Sequence, residues 1–108
     1  DYDFNSDTFN LEHVLPQNPG AGWEQFSEEE IEAMVFRLGN MTLLQSSANR
    51  DQGNEAYAAK RPVYTASGFA VTCKLAEENA EWTPERLAAR QTWMAKQATA
   101  IWRLARLP

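Results

Sequence analysis

The single histidine of the chain, His13, is the residue best suited to acid–base chemistry. Imidazole titrates near neutral pH without special tuning, so it can take a proton from water as a general base. Glu12 beside it supplies a hard carboxylate oxygen, which suits Mg²⁺ or Mn²⁺. Strand alternation would point these two side chains to opposite faces, so both reach one site only if the chain bends there. Pro16 and the polar loop after it favour such a bend.

The counts of His and Cys exclude several other kinds of site. The zinc-protease motif His-Glu-x-x-His needs two histidines, and a Cys-x-x-Cys zinc site needs more than Cys73. The single cysteine also excludes an intramolecular disulfide, and we expect an intracellular, cytoplasmic protein. No Gly-x-Ser-x-Gly elbow is present, although counting residues leaves a Ser-His-Asp triad open. A histidine that only packs or hydrogen-bonds at a strand end is the alternative to a catalytic one.

Two further sets of side chains could take part in a site. Asn40 and Asn49 lie in loops, where Asn commonly serves turn geometry. Three cations are candidates for contact with nucleic-acid phosphates, with a solvated helix face as the alternative: Lys60, Arg61 and Arg90. Four tryptophans could stack on bases, but we expect them in the core: Trp23, Trp82, Trp93 and Trp102.

Short elements must position these residues. Residues 11–16 predict a strand, and residues 41–44 predict a second one. Between them, Ser27 begins a capping box and a helix that runs to about residue 36. Asn54 is predicted to cap a helix that runs towards Tyr64, and residues 69–79 are predicted to be helical. Thr83 and Pro84 predict the start of a last helix of about 22 residues.

Length and composition indicate one globular domain. The chain has 108 residues, 44% of them hydrophobic, and no apolar run approaches the roughly 18 residues that span a bilayer. We therefore exclude a membrane protein. The first residue is Asp1 and no signal-like segment follows, so we expect a domain of a longer protein.

The charge is divided unevenly along the chain. The net charge of -5 argues against binding to nucleic acid, which needs clustered Lys and Arg. However, residues 1–36 hold nine acidic residues and no Lys or Arg, whereas residues 37–108 hold all ten basic residues and six acidic ones. The second segment could therefore bind DNA, weakly and with a strong dependence on salt.

The chain resembles a known family in several ordered motifs. These are EHVLPQN at residues 12–18, LGNMTLL at 38–44, and then Asn49, Asn54, Tyr57, Lys60, Tyr64, Ser67, Trp82, Arg90 and Trp102. In this order and spacing they resemble the C-terminal HNH nuclease domain of GmrSD-type modification-dependent restriction enzymes. The resemblance implies an α+β, mostly helical fold, with a ββα-metal core at 11–66, a leader at 1–10 and a helical wrap at 67–108.

The resemblance also implies roles for single residues. His13 would deprotonate the attacking water, and Asn40 would hold the loop and orient His13. Glu12 and Asn49 would bind Mg²⁺ or Mn²⁺, with Asn54 as the alternative to Asn49. A structural zinc is not expected, because this chain lacks the cysteines.

The partners follow from the same resemblance. They are DNA and an N-terminal sensor and NTPase domain of the same protein, which this chain does not include; the full-length protein could form a homo-oligomer. Such proteins defend bacteria against phages with modified DNA. The function expected is endonuclease cleavage or nicking of DNA. The alternatives are an inert DNA- or protein-binding domain of the same fold and a nuclease that acts on RNA.

Overall fold

The fold is α+β and mostly helical, as predicted. The computed structural model describes residues 9–46 and 53–105. In chain order the elements are β1 (Phe9–His13), α1 (Glu28–Met34), a 3-10 turn (Leu38–Asn40), β2 (Met41–Gln45), α2 (Tyr57–Thr65), α3 (Ala70–Glu78) and α4 (Pro84–Ala105). The two strands followed by α2 agree with a ββα arrangement. Among the described residues, no helix has the length and apolarity needed to cross a membrane.

The two strands form one antiparallel pair, in which His13 lies opposite Met41 and Glu12 lies opposite Thr42. The first strand begins two residues earlier than predicted and ends at His13, so the apolar residues Val14 and Leu15 follow it as irregular chain. These two side chains are fully buried. The run from 11 to 16 is therefore half strand and half a core segment that leaves the sheet.

Local sequence signals begin two of the helices. The Ser27 hydroxyl accepts a hydrogen bond from the Glu30 N–H, and the Glu30 carboxylate accepts one from the Ser27 N–H, which is the predicted capping box. Before α4, the Thr83 hydroxyl accepts a hydrogen bond from the Arg86 N–H at 3.2 Å, as predicted. The predicted cap at Asn54 is wrong, because α2 begins only at Tyr57.

The core lies where α2, α3 and α4 meet the chain around the sheet. Among its largest members, Tyr57 stacks on Trp82 at a ring separation of 5.9 Å, and Leu15, Leu75 and Leu87 complete the packing. Trp23 and Trp82 are buried, as expected for core residues. The same expectation is wrong for Trp93, which is 43% exposed. The side chain of Trp102 lies outside the described part of the chain.

Candidate active site

His13 lies at the point where β1 ends. Its ring packs edge-on against Phe36 with 5.7 Å between the ring centres. Its Nε2 is buried and has no hydrogen-bond partner among the described residues. A buried polar atom in this state costs about 1–3 kcal/mol, which a water molecule that donates to it would recover. The imidazole is therefore not tied to another side chain of the described structure, as a purely structural histidine usually is.

The backbone after His13 is fixed by Asn40, which is fully buried. Its Oδ1 accepts hydrogen bonds from the Leu15 N–H at 2.8 Å and from the Trp82 indole at 3.1 Å. Its Nδ2 donates to the carbonyls of Leu15 and Val35, both at 2.9 Å. The side-chain amide thus uses two donors and two acceptor positions, which is its full capacity. It ties the chain after β1 to the end of α1 and to Trp82, two residues before α4.

Glu12 turns away from His13 and into the interior, where two residues of α2 hold it. The Lys60 ammonium lies 3.0 Å from Glu12 Oε2, and the Tyr64 hydroxyl donates to the same oxygen at 2.6 Å. Glu12 is 4% exposed and Lys60 is 0% exposed. Lys60 and Tyr64 are four residues apart, so they lie on one face of α2 and can hold one carboxylate together.

Lys60 also fixes the backbone at the end of β1. Its ammonium donates to the His13 carbonyl at 3.0 Å and to the Val14 carbonyl at 3.1 Å. All three protons of the ammonium are therefore used inside the protein. Burial lowers the pKa of Lys60, and the Glu12 carboxylate opposes this shift. The predicted contact between Lys60 and DNA phosphate does not fit this burial, because the charge is paired internally.

The other two predicted phosphate contacts have different surroundings. Arg90 donates through Nη1 to the carbonyls of Gly39 and Met41, at 2.9 Å and 2.7 Å, on either side of Asn40. Its main task is thus to hold this turn, and its buried Nη2 has no partner among the described residues. Arg61 is half-buried and donates through Nε to the Ala76 carbonyl at 3.0 Å.

The two candidates for the amide ligand of the metal are Asn49 and Asn54. Asn49 lies outside the described residues. Asn54 is exposed, and its backbone carbonyl accepts a hydrogen bond from the Trp23 indole at 3.4 Å.

Glu12 has the chemistry of a ligand for a hard cation. Metal-binding carboxylates are themselves commonly hydrogen-bonded by a second layer of residues, as Lys60 and Tyr64 hold Glu12. No described residue hydrogen-bonds its other oxygen, Oε1. Within residues 9–46 and 53–105, no three His, Cys, Asp or Glu side chains group to hold a metal. The implied set, with one carboxylate and one amide, would not form such a group.

Sequence reasoning missed three supporting residues. Tyr64 holds Glu12, the Trp82 indole holds Asn40, and the Gln91 amide oxygen accepts a hydrogen bond from the Gly39 N–H at 2.6 Å. The four-residue spacing of Lys60 and Tyr64 was the available signal for the first. The other two link residues more than 40 positions apart, and no local pattern indicates them.

Comparison with known proteins identifies the family of the chain. The chain matches the family model of the C-terminal domain of GmrSD restriction endonucleases over residues 1–97. No curated protein and no solved structure matched the chain. The family match covers both strands, the turn that carries Asn40 and most of α4. The chain therefore belongs to the family of GmrSD restriction endonuclease C-terminal domains.

Proposed function

We propose that this domain is a metal-dependent HNH endonuclease module that cleaves or nicks DNA, with His13 as the general base. The observation that carries the proposal is the buried Nε2 of His13, which has no described protein partner while the backbone beside it is fixed twice. Lys60 holds the carbonyl of His13, and Asn40 holds the next two residues through its carbonyl and side chain. This arrangement favours a base with a fixed position.

In the proposed reaction, His13 takes the proton of the attacking water as the water oxygen bonds to the phosphorus. The bond from the phosphorus to the 3′ oxygen breaks, and the 3′ oxygen leaves and takes a proton from water, so that a 5′ phosphate and a 3′ hydroxyl result. Asn40 and Lys60 act through the backbone and touch no reacting atom, so both are positioning residues. By the family resemblance Glu12 and Asn49 would hold Mg²⁺ or Mn²⁺, and Glu12 would have to do so through Oε1, because Lys60 and Tyr64 hold its Oε2. The ion would supply polarisation of the phosphate and charge stabilisation at the leaving oxygen. Asn54 is the alternative to Asn49, and Mg²⁺ titrations of Asn49→Ala and Asn54→Ala distinguish them.

The biological setting is part of the proposal. Family membership supports DNA as the substrate and a role in a restriction system that acts against phages. We infer that an N-terminal sensor and NTPase domain of the same protein would direct the cut, and that the protein works in the cytoplasm.

Nicking of a supercoiled plasmid tests the proposal directly. The wild-type domain is compared with His13→Ala in Mg²⁺, in Mn²⁺ and in EDTA, and Gln17→Ala serves as a nearby exposed control. Loss of a general base should lower the rate by about 10²–10⁴-fold. We expect that loss for His13→Ala alone, and no cleavage in EDTA. Equal cleavage by wild type and His13→Ala would contradict the proposed role of His13 as the base. Cleavage of single-stranded RNA without any cleavage of DNA would show that RNA, and not DNA, is the substrate.

A further inference from the structure

A cavity of about 300 Å³ lies between α3 and α4, and neither His13 nor Glu12 lines it. Lys74 and Glu78 of α3 line it, together with Arg86, Arg90 and Trp93 of α4. Three of these side chains are cationic and one is acidic. We call this space the α3–α4 cavity. Its charge favours an anionic ligand, and its volume is at the lower end of those that hold small molecules.

Arg90, which lines this cavity, has an unused donor. Its Nη1 is occupied by two backbone carbonyls, but its Nη2 is buried and has no partner among the described residues. Burial also lowers the pKa of this guanidinium, which reflects the cost of keeping its charge away from water. Phosphate oxygens are strong acceptors for guanidinium groups, so a bound phosphate would satisfy Nη2.

Trp93 gives the same cavity an aromatic surface. Its ring is 43% exposed, although it lies on a helix that packs against the core. The Lys74 ammonium lies over the ring, 4.7 Å from its centre, in a cation–π contact that holds a positive charge over one face of the indole. An indole beside cations is the combination that proteins use to bind single-stranded nucleic acid, with the base on the ring and the phosphate on the charges.

We propose that the α3–α4 cavity binds one unpaired nucleotide of a nucleic-acid strand, with its phosphate at Lys74, Arg86 and Arg90 and its base on Trp93. This inference rests on the proposed function in one respect, because the nuclease function identifies the bound strand as substrate DNA. Arg90 connects the cavity to the candidate active site, because it holds the carbonyls of Gly39 and Met41, and Met41 lies opposite His13 in the sheet. Glu78 is the one opposing charge, and it disfavours a doubly charged terminal phosphate relative to a singly charged diester.

Fluorescence anisotropy with a labelled 12-nucleotide single strand and the matching duplex tests this site. The variants are Trp93→Ala, Trp93→Phe and the double variant Lys74→Ala/Arg86→Ala. The matched control is Lys96→Ala/Arg103→Ala, which removes the same charge from exposed positions of α4 outside the cavity. Thermal unfolding identifies any variant that fails to fold, and Trp93→Phe keeps an aromatic ring if Trp93→Ala does not fold.

We expect Trp93→Ala to raise the Kd for the single strand by about tenfold, as stacking on an aromatic ring predicts, and Trp93→Phe to recover most of the loss. The cavity double variant should weaken single-strand binding several-fold more than its charge-matched control. Duplex binding should change little in Trp93→Ala. Equal weakening by both double variants, or an unchanged Kd in folded Trp93→Ala, would overturn the site.

Two further measurements are needed. The first distinguishes a nucleotide within a strand from a free nucleotide, and the second distinguishes failure of the cavity proposal from failure of the proposed nuclease function. Deoxyadenosine monophosphate should bind more weakly than the single strand. If it binds with equal affinity and loses as much affinity in Trp93→Ala, the cavity is a site for a free nucleotide, which would overturn the proposal of a bound strand. Plasmid nicking reports on the proposed function separately. In that assay the cavity variants should need more DNA to reach a given rate, whereas His13→Ala should bind the single strand with the wild-type Kd and fail to nick at any DNA concentration. If the wild-type protein binds the strand through Trp93 but never cleaves DNA, the proposed nuclease function is wrong, whereas the proposed nucleotide site in the cavity is supported.

Discussion

At the scale of single residues, the centre of this domain is a buried ion pair, and its role differs from that of a surface salt bridge. Glu12 and Lys60 lie almost entirely out of water, so each charge has lost its hydration and depends on the other. Tyr64 adds a hydroxyl to the carboxylate, and two backbone carbonyls complete the shell of the ammonium. Such a pair contributes little net stability, but removal of one partner leaves an uncompensated charge.

Lys60→Met should therefore destabilise the fold by about 3–5 kcal/mol, because the Glu12 carboxylate would stay buried without a counter-ion. Urea unfolding of the variant measures this loss. In the double variant Glu12→Gln/Lys60→Met, the loss in free energy of unfolding should be clearly smaller than the sum of the losses in Glu12→Gln and Lys60→Met, since neither charge remains. Lys96→Met, at an exposed position of α4, is the control and should stay within about 0.5 kcal/mol of wild type. Equal effects of Lys60→Met and Lys96→Met would contradict the internal role of Lys60.

At the scale of elements, the 3-10 turn before β2 is pressed against the middle of α4. Gly39 makes this approach possible: a Cβ there would lie 2.6 Å from the backbone nitrogen of Gln91, closer than real atoms pack. The same contact lets the Gly39 N–H reach the Gln91 side chain and lets Arg90 reach the carbonyls of the turn. The position of Asn40 thus depends on a helix that lies some 50 residues further along the chain.

Gly39→Ala should cost about 1–3 kcal/mol, the usual range for forced overpacking, and should also slow cleavage because the turn moves away from α4. Thermal or urea unfolding gives the first effect, and plasmid nicking by the folded fraction gives the second. Gly68→Ala is a matched control, since nothing lies within 4 Å of a Cβ at that position. A Gly39→Ala protein as stable and active as Gly68→Ala would show that the contact with α4 is dispensable.

The elements differ in how well the sequence predicts them. The capping box at Ser27 and the start of α4 at Pro84 are local signals, and the structure confirms both. The strand at 11–16 and the cap at Asn54 were misplaced because apolar runs and single capping residues do not specify where tertiary packing ends an element. The motifs correctly indicated the family. They did not show that Lys60 is internal, because burial of a lysine depends on a partner 48 residues away.

At the scale of the whole molecule, charge is separated by element. The described acidic residues of the first segment lie mainly on and before α1, whereas α4 carries one acidic residue, Glu85, and four basic ones: Arg86, Arg90, Lys96 and Arg103. A DNA strand should therefore approach from the α4 side, where Trp93 also lies. The acidic net charge of the chain agrees with DNA binding only because of this separation.

Two buried tyrosines make the stability of the whole fold sensitive to alkali. Burial raises the pKa of Tyr57 above its ordinary value of 10.0, with Arg61 and Arg86 opposing the shift, and burial together with Glu12 raises that of Tyr64. The unfolded chain loses these protons above about pH 10 while the folded chain keeps them. Their contribution is therefore complete below pH 10 and falls as pH rises towards the folded-state pKa.

We expect the free energy of unfolding to fall more steeply above pH 10 in wild type than in Tyr57→Phe. The maximum difference in slope is about 1.4 kcal/mol per pH unit for one proton. At pH 8 the free energy of unfolding of Tyr57→Phe should be about 1 kcal/mol lower than that of wild type, because the variant loses the hydrogen bond to the Asn79 carbonyl. Urea unfolding at pH 8, 10 and 11 provides both values. Parallel curves for the two proteins would contradict the raised pKa of Tyr57.

The dependence of the Asn40 turn on α4 has a consequence for how the protein is made. During synthesis from the amino terminus, His13, Asn40 and Lys60 leave the ribosome before Trp82, Arg90 and Gln91, which hold the turn in place. A nascent chain would therefore contain the proposed base and its positioning residues without the geometry that they need. Cutting activity should appear only after the last helix has been synthesised and has docked, so an incomplete chain should be harmless to DNA.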